Sequence, residues 1–219
     1  MIALLELDRE VLKWATPFSS VVAFISLFAA YLFGFGEVAL SNERSSGEEN
    51  TTYLGKKINH QYSKTFEFEN NLRSYLKSYL TDINYFSFLR PFYEIQIAKI
   101  FSRMPQYFSE FRSCNIGQKT NTWCANCSKC LSTYLLLKPF LKEVDLVKIF
   151  GENLLNKPSL KETLIDLTDN KRVKPFECVG TREELKAALE NNLTMIDDWN
   201  KENNLTDKYE RILRNQIQK

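Results

Sequence analysis

The sequence has little glycine, a single histidine and no excess of charge of one sign. Only 7 of its 219 residues are glycine, against 16 phenylalanines and 10 tyrosines. This composition excludes a linker-rich or disordered chain and favours a packed interior. The 29 lysines and arginines nearly balance 27 acidic residues, so charge gives no reason to expect nucleic acid or an anionic membrane as a partner. The length predicts one large domain, or one domain with an added helical lobe.

Charged residues are also lacking from one long apolar stretch, Pro17 to Gly36. Its length is close to that of a membrane span. Three serines and two glycines interrupt it, and no cluster of lysine and arginine flanks it closely. The stretch is therefore predicted to be a buried helix packed on a sheet.

The order of the predicted elements is that of an α/β layer arrangement. Val38 to Leu40 is a short apolar strand that opens into a polar loop, Ser41 to Gly47, and ligands of open α/β sheets bind at such strand ends. This loop is predicted to face the substrate. The other predicted elements are helices at Ile2 to Lys13, Glu67 to Leu80, Tyr93 to Phe101, Leu131 to Leu137 and Leu141 to Phe150, a strand at Tyr85 to Leu89, and a charged helical tail from Thr181.

Four of the five cysteines fall within 17 residues. Cys114, Cys124, Cys127 and Cys130 have the spacing C-x9-C-x2-C-x2-C, which lets four thiolates close a tetrahedral shell around one zinc ion. A closed shell leaves no position for water, so the zinc is predicted to be structural. An iron–sulfur cluster on the same ligands, or a group of buried or redox-active thiols, remains an alternative. The odd number of cysteines favours a reducing cytoplasm over a secreted disulfide framework.

The cysteine spacing resembles the zinc site of 7-cyano-7-deazaguanine synthase and related PP-loop ATP pyrophosphatases. A longer set of motifs resembles the UDP-N-acetylmuramoyl-L-alanyl-L-glutamate epimerase family over most of residues 17–180. These motifs are Ser41 to Ser46, Asn59 to Lys64, Tyr85 to Pro91, Ser113 to Asn115, Trp123-Cys124 and Lys174 to Gly180.

The resemblance implies an isomerase that uses ATP, with magnesium, to invert the terminal glutamate of a nucleotide-linked muramoyl dipeptide during peptidoglycan precursor synthesis. It also implies an adenine-nucleotide α-hydrolase-like fold of the PP-loop type. The domains expected are an α/β portion at 1–110, a zinc-binding helical lobe at 111–180 that includes the Lys174 to Gly180 segment, and the tail at 181–219.

One element of the PP-loop pattern is missing from the sequence, the glycine-rich SGGxDS loop that binds ATP phosphates. We therefore expect this chain to be the carboxyl-terminal part of the enzyme, to be inactive alone, and to work with a separate half that carries the loop. Two rival functions remain at this point: another PP-loop reaction such as amidation or deazaguanine synthesis, and a non-catalytic zinc module that binds a partner enzyme or RNA.

Four residues are predicted to bind the substrate or the nucleotide. Glu43 and Arg44 lie at the end of the first strand, where the arginine could bind a carboxylate or a phosphate. Lys64 is a candidate for an anionic ligand. Arg90 could hold the nucleotide or the peptide carboxylate, although an ion pair with Glu94, one helical turn later, would explain its position equally well.

Three residues are predicted to transfer protons. His60, the only histidine, could do so near neutral pH. Glu177 and Cys178 lie together in the Lys174 to Gly180 segment, where a carboxylate and a thiol could act as opposed acid and base in an inversion. A packing role for Cys178 and a structural role for His60 are the alternatives.

Overall fold

The first part of the chain forms a small parallel sheet with two helices on one face, a helical lobe follows it, and the last described helix returns to the other face of the sheet. The computed structural model describes residues 17–79 and 82–217; the helix predicted at Ile2 to Lys13 lies outside them. The helices are α1 (Phe18–Phe33), α2 (Phe66–Tyr79), α3 (Glu94–Phe101), α4 (Ser128–Leu137), α5 (Glu143–Phe150), α6 (Lys161–Thr168), α7 (Arg182–Glu190) and α8 (Asp207–Ile217), and the strands are β1 (Glu37–Leu40), β2 (Thr51–Tyr53), β3 (Lys56–Ile58) and β4 (Asn84–Ser87).

The parallel sheet consists of β1 and β4, with Val38 opposite Tyr85. Because successive side chains of a strand point to opposite faces, the two faces have different partners. Val38 and Tyr85 pack into an apolar cluster with α1 and α2. Phe86 points the other way, and its ring centroid lies 5.2 Å from that of Tyr209 in α8. The predicted α/β class with a partial parallel sheet is therefore confirmed.

Helix α1 departs from the sequence prediction. We expected a buried helix, but only Ala23, Leu27 and Ala30 are buried, and these face the sheet. The opposite side exposes large apolar residues because no other described segment packs against it. Among the helices of residues 17–79 and 82–217, none is long and apolar enough to span a bilayer.

A short antiparallel hairpin, β2 and β3, was not predicted. Its turn is formed by Leu54 and Gly55, which both have positive φ angles, 48° and 74°. Leucine rarely adopts this conformation, so the turn carries no sequence signal beyond the glycine. The hairpin brings Asn50 and His60, which flank it, into contact with each other.

The helical lobe is built around α4, in which every residue from Lys129 to Leu137 is buried. Helices α3, α5, α6 and α7 surround it. The segment predicted as a charged tail contributes to this core, because Leu185 and Ala188 of α7 are fully buried. Two of its charged residues, Arg182 and Glu184, are buried as well, and Glu184 accepts a hydrogen bond from the backbone N–H of Ile95 at 2.9 Å.

Candidate active site and metal centre

The carboxyl ends of β1 and β4 lie side by side, and the polar loop Ser41 to Gly47 begins there as predicted. The Asn42 side chain donates a hydrogen bond to Ser87 Oγ at 3.2 Å, which joins the two strand ends. Ser45 Oγ accepts a hydrogen bond from the backbone N–H of Glu94 at 2.8 Å, at the start of α3. The loop is therefore held against β4 and α3, with Glu43 between these two anchors.

Arg90 is a buried organiser of this region, with 2% of its surface exposed. Its guanidinium donates hydrogen bonds to the carbonyl oxygens of Glu43, at 2.8 Å, and Lys64, at 2.5 Å. It also lies 3.5 Å from the Glu69 carboxylate. The alternative ion pair with Glu94 is not formed, because the Arg90 side chain turns away from α3 towards Glu69 in α2. The predicted binding of the nucleotide or the peptide carboxylate by Arg90 stays a prediction. Arg90 thus fixes the backbone of two segments that carry candidate site residues.

Five side chains from both parts of the structure form what we call the charged cluster: Glu43, Lys64, Glu94, Lys129 and Cys178. Lys64 Nζ lies 3.3 Å from Cys178 Sγ. Lys129 Nζ lies 3.4 Å from Glu94 Oε1 and donates to the Cys178 carbonyl. The charges of Glu94, Lys64 and Lys129 all act on the Glu43 carboxyl group. The cluster therefore contains one thiol, two carboxyl groups and two ammonium groups.

Burial and charge shift the proton affinities of this cluster. Burial raises the pKa of Glu43, and the neighbouring Glu94 raises it further, while Lys64 and Lys129 act in the opposite direction. Burial acts to lower the pKa of Lys129, but Glu94, Cys178 and Glu43 outweigh it, so that this pKa is raised. Lys129 therefore stays cationic, and Glu43 keeps its proton more readily than an exposed glutamate.

His60 lies beside the charged cluster and has a separate hydrogen-bond partner. Its Nδ1 lies 2.6 Å from Asn50 Oδ1, and its ring contacts that of Phe176 edge to face. Burial lowers the pKa of His60 to about 4, and Lys64 and Lys174 add to the effect. The imidazole is therefore neutral at pH 7 and donates to Asn50. Its predicted part in proton transfer stays a prediction.

The pKa of His60 gives a test of its environment. The folded value of about 4 lies below the ordinary histidine pKa of 6.5, so the unfolded chain binds more protons between these two pH values. The contribution of His60 to stability is therefore lost as pH falls through that range. Since the ring is only half-buried, we expect His60→Gln to remove about 1–2 kcal/mol of pH-dependent stability between pH 7.5 and pH 4.5. Urea unfolding of both proteins at the two pH values measures the difference.

The control for this test is internal, because His60 is the only histidine. Glu184 also titrates in this range, since burial and then Glu94 raise its pKa to about 7. It is present in both proteins, so its effect cancels in the comparison. Equal losses of stability on acidification would contradict the buried, neutral state of His60.

Two other predicted site residues are engaged in contacts of their own. Glu177 Oε2 accepts the backbone N–H of Lys129 at 3.0 Å, in the first turn of α4, where a negative charge is favourable. Arg44 pairs with Asp198 at 2.7 Å, and its guanidinium carbon lies 4.2 Å from the centroid of the Tyr93 ring. The roles predicted for both residues stay predictions.

Sequence reasoning missed Lys129 and did not assign Glu94 to the site. The available signal was the position of Lys129 between two predicted metal ligands, Cys127 and Cys130. Cys127 and Cys130 are three residues apart, so both can point to the metal site from one side of the first helical turn. Lys129 then points away from that side. The structure shows that this side faces the charged cluster.

The four cysteines predicted to bind metal converge, with sulfur atoms all within 4.8 Å of one another. The separations are 3.9 Å for Cys114–Cys127, 3.7 Å for Cys124–Cys130 and 3.5 Å for Cys127–Cys130. Four sulfurs at about 2.3 Å from a tetrahedral zinc ion would lie about 3.8 Å apart. The donor set and its dimensions therefore fit a four-coordinate metal site, and the group could hold a metal ion.

Backbone N–H groups support the sulfur atoms. Gly117 and Cys124 donate to Cys114 Sγ at 3.2 and 3.4 Å. A side chain at Gly117 would place its Cβ 1.9 Å from the carbonyl oxygen of Thr122, so the ligand loop requires glycine here. Such donors stabilise metal-bound thiolates and orient them.

Two models of one protein family match the chain. The model of the MurL C-terminal domain matches residues 109–219, and the model of the MurL N-terminal domain matches residues 8–88. No solved structure matches the chain.

Three curated relatives named UDP-N-acetyl-alpha-D-muramoyl-L-alanyl-L-glutamate epimerase are similar to the chain. The protein from Salinispora tropica is 38% identical over 79% of this chain and 39% of its own length. Those from Xanthomonas oryzae pv. oryzae and Micromonospora sp. are 34% and 36% identical, over 85% and 84% of this chain and 43% and 42% of their own lengths. The chain thus spans about two fifths of the relatives it matches. On the match of residues 109–219, the chain belongs to the MurL epimerase family.

Proposed function

We propose that this chain is part of an ATP-dependent isomerase that inverts the terminal L-glutamate of UDP-N-acetylmuramoyl-L-alanyl-L-glutamate to D-glutamate, with release of AMP and diphosphate. The names of the three relatives support the reaction. It would supply a peptidoglycan precursor in the cytoplasm and so serve cell-wall biogenesis and cell shape. Since the chain spans only part of its relatives, we assign the activity to the complete enzyme.

The charged cluster is the observation that carries the proposal. Epimerisation requires one group to take the Cα proton and a second group to return a proton to the opposite face, with no net change in atoms. Cys178, whose Sγ atom lies beside the Lys64 ammonium group, is suited to take the proton. Glu43, whose pKa burial and then Glu94 raise, is suited to return one. The roles exchange in the reverse direction.

Activation by ATP makes the Cα proton removable. A free carboxylate resists its loss, because the carbanion would place a second negative charge beside the first. An acyl adenylate, formed with loss of diphosphate, removes the first charge, and its hydrolysis after the inversion releases AMP. Lys64, Lys129 and Arg44 offer positive charge to the acyl phosphate. Because the sequence has no SGGxDS loop, we assign the other ATP phosphates and magnesium to a separate amino-terminal half of the PP-loop type.

We assign zinc to the four-cysteine site. Four sulfur ligands complete a tetrahedral shell, so the ion would stabilise the lobe without touching substrate. Through Lys129, which lies between Cys127 and Cys130, it would also hold one cation of the charged cluster in place.

Chiral analysis of glutamate tests the proposed function. The chain, co-expressed with the sequence that the relatives carry outside the aligned stretch, is incubated with ATP and the L-glutamyl precursor. We expect D-glutamate in the acid hydrolysate. One AMP should be released for each acyl adenylate that is hydrolysed, whether or not its Cα was inverted. ATP with a methylene group between its α- and β-phosphates, which cannot release diphosphate, is the matched control and should give no D-glutamate. Absence of D-glutamate and AMP from a folded, metal-loaded complex would contradict the proposal and favour a non-catalytic module.

A further inference from the structure

Helix α1 presents an apolar face that no other segment of residues 17–79 and 82–217 covers, and we define this face by Phe18, Val21, Ile25, Phe28 and Leu32. Each of these side chains is between 44 and 70% exposed. At about 100° per residue they lie on the side of the helix opposite Ala23, Leu27 and Ala30, which pack on the sheet. The face is therefore not the edge of the existing core but a second, separate packing surface.

The composition of α1 is unlike that of a solvated helix. None of its 16 residues is charged. A helix at the surface of a protein normally has charged and polar residues on its outward side, and contiguous exposed apolar patches of this kind mark interaction sites. The sequence of α1 is thus that of a helix covered on both sides.

A bilayer does not fit this face as well as a protein partner does. The 16 residues would span about 24 Å, which is short of the roughly 30 Å hydrocarbon core. A helix that lies in the membrane interface needs a charged face to remain in water, whereas the opposite side of α1 is packed on protein. The absence of lysine and arginine from α1 also removes any attraction to anionic lipid.

The sheet under α1 also has an edge that no described strand covers. Within residues 17–79 and 82–217, β1 pairs with β4 alone, and Ala39 of β1 is exposed. Parallel sheets occur almost only as larger sheets covered by helices. The edge of β1 and the adjoining apolar face of α1 together fit a partner that continues an α/β layer.

We infer that the apolar face of α1 is the docking surface for the sequence that the MurL relatives carry outside the aligned stretch. The aligned stretch covers only 39 to 43% of the relatives' lengths, so more than half of each relative is available to cover this face. This inference rests on family membership and on the exposed face, not on the proposed reaction. Binding therefore tests it independently of activity.

The test uses the part of the Salinispora tropica relative that lies outside the aligned stretch. This part is produced as a separate polypeptide and titrated with this chain. We expect a one-to-one complex by size-exclusion chromatography with light scattering, and slower hydrogen exchange in residues 18–33 on binding. Phe28→Asp should weaken the complex at least tenfold. The melting temperature of the Phe28→Asp chain without its partner should not be lower than that of the parent chain, because the Phe28 side chain is already 64% exposed in the free protein.

Val144→Asp is the matched control, since Val144 is 57% exposed on α5, in the other part of the structure. It should leave the affinity unchanged. A folded partner polypeptide that does not bind would overturn the inference, as would equal effects of the two substitutions. Binding of the chain to phosphatidylglycerol vesicles through Phe28, or its dimerisation through the same face, would overturn it in favour of a membrane or a second copy.

Discussion

Replacement of Cys178 by serine will lower the rate of inversion by about a thousandfold in the complete enzyme, because a serine hydroxyl cannot become a base near neutral pH. The Sγ atom lies 3.3 Å from Lys64 Nζ, and a hydroxyl at the same place can still accept that hydrogen bond. The fold should therefore be unaffected, with an unchanged melting temperature. Chiral analysis of glutamate at saturating ATP measures the rate.

Exchange of the Cα proton with D2O separates the two members of the proposed pair. If Cys178 and Glu43 act on opposite faces, Cys178→Ser and Glu43→Gln will each exchange the Cα proton of only one epimer and return it without inversion. The two variants will differ in which epimer they exchange. A merely structural role would reduce exchange of both epimers together. Full inversion by Cys178→Ser would remove the thiol from the mechanism.

Replacement of Cys130 by serine will remove the metal and unfold the helical lobe. Cys130 is fully buried at the start of α4, and its sulfur lies 3.5 Å from that of Cys127. Structural zinc contributes roughly 10–16 kcal/mol of apparent binding free energy in zinc-finger peptides, so we expect loss of the ion to unfold the lobe. We expect about one zinc per chain in the parent protein, measured by mass spectrometry, and loss of the cooperative thermal transition in the variant.

Cys178→Ser is the matched control for this experiment, since it removes the one cysteine outside the four-cysteine site. It should retain both the zinc and the thermal transition. If the purified protein contains iron and inorganic sulfide and absorbs visible light, the four cysteines hold an iron–sulfur cluster and not zinc. A stable lobe with no metal in any preparation would contradict a structural metal site.

Local patterns predicted the secondary structure well where apolar residues follow one period. Helix α2 was predicted at Glu67 to Leu80, and the structure has Phe66–Tyr79. The strand predicted at Tyr85 to Leu89 is Asn84–Ser87. The convergence of the four cysteines also followed from spacing alone, because ligand geometry restricts the loop between them.

Contacts between distant segments could not be predicted in the same way. Arg90 and Glu94 have the spacing of a helical ion pair, yet Arg90 precedes α3 and binds Glu69, while Glu94 binds Lys129. The exposure of one face of α1 could not be predicted for a different reason. An apolar sequence shows that a helix needs cover, but not whether the same chain supplies it.

The first turn of α4 has a consequence for insertions and deletions. Cys127 and Cys130 point to the metal site, and Lys129 between them reaches Glu94 on another side. One added or deleted residue rotates a helix by about 100°, which would swing the lysine out of reach of Glu94 or one sulfur out of the tetrahedron. The length of this turn is therefore fixed, and we expect homologous chains to keep two residues between the cysteines that correspond to Cys127 and Cys130.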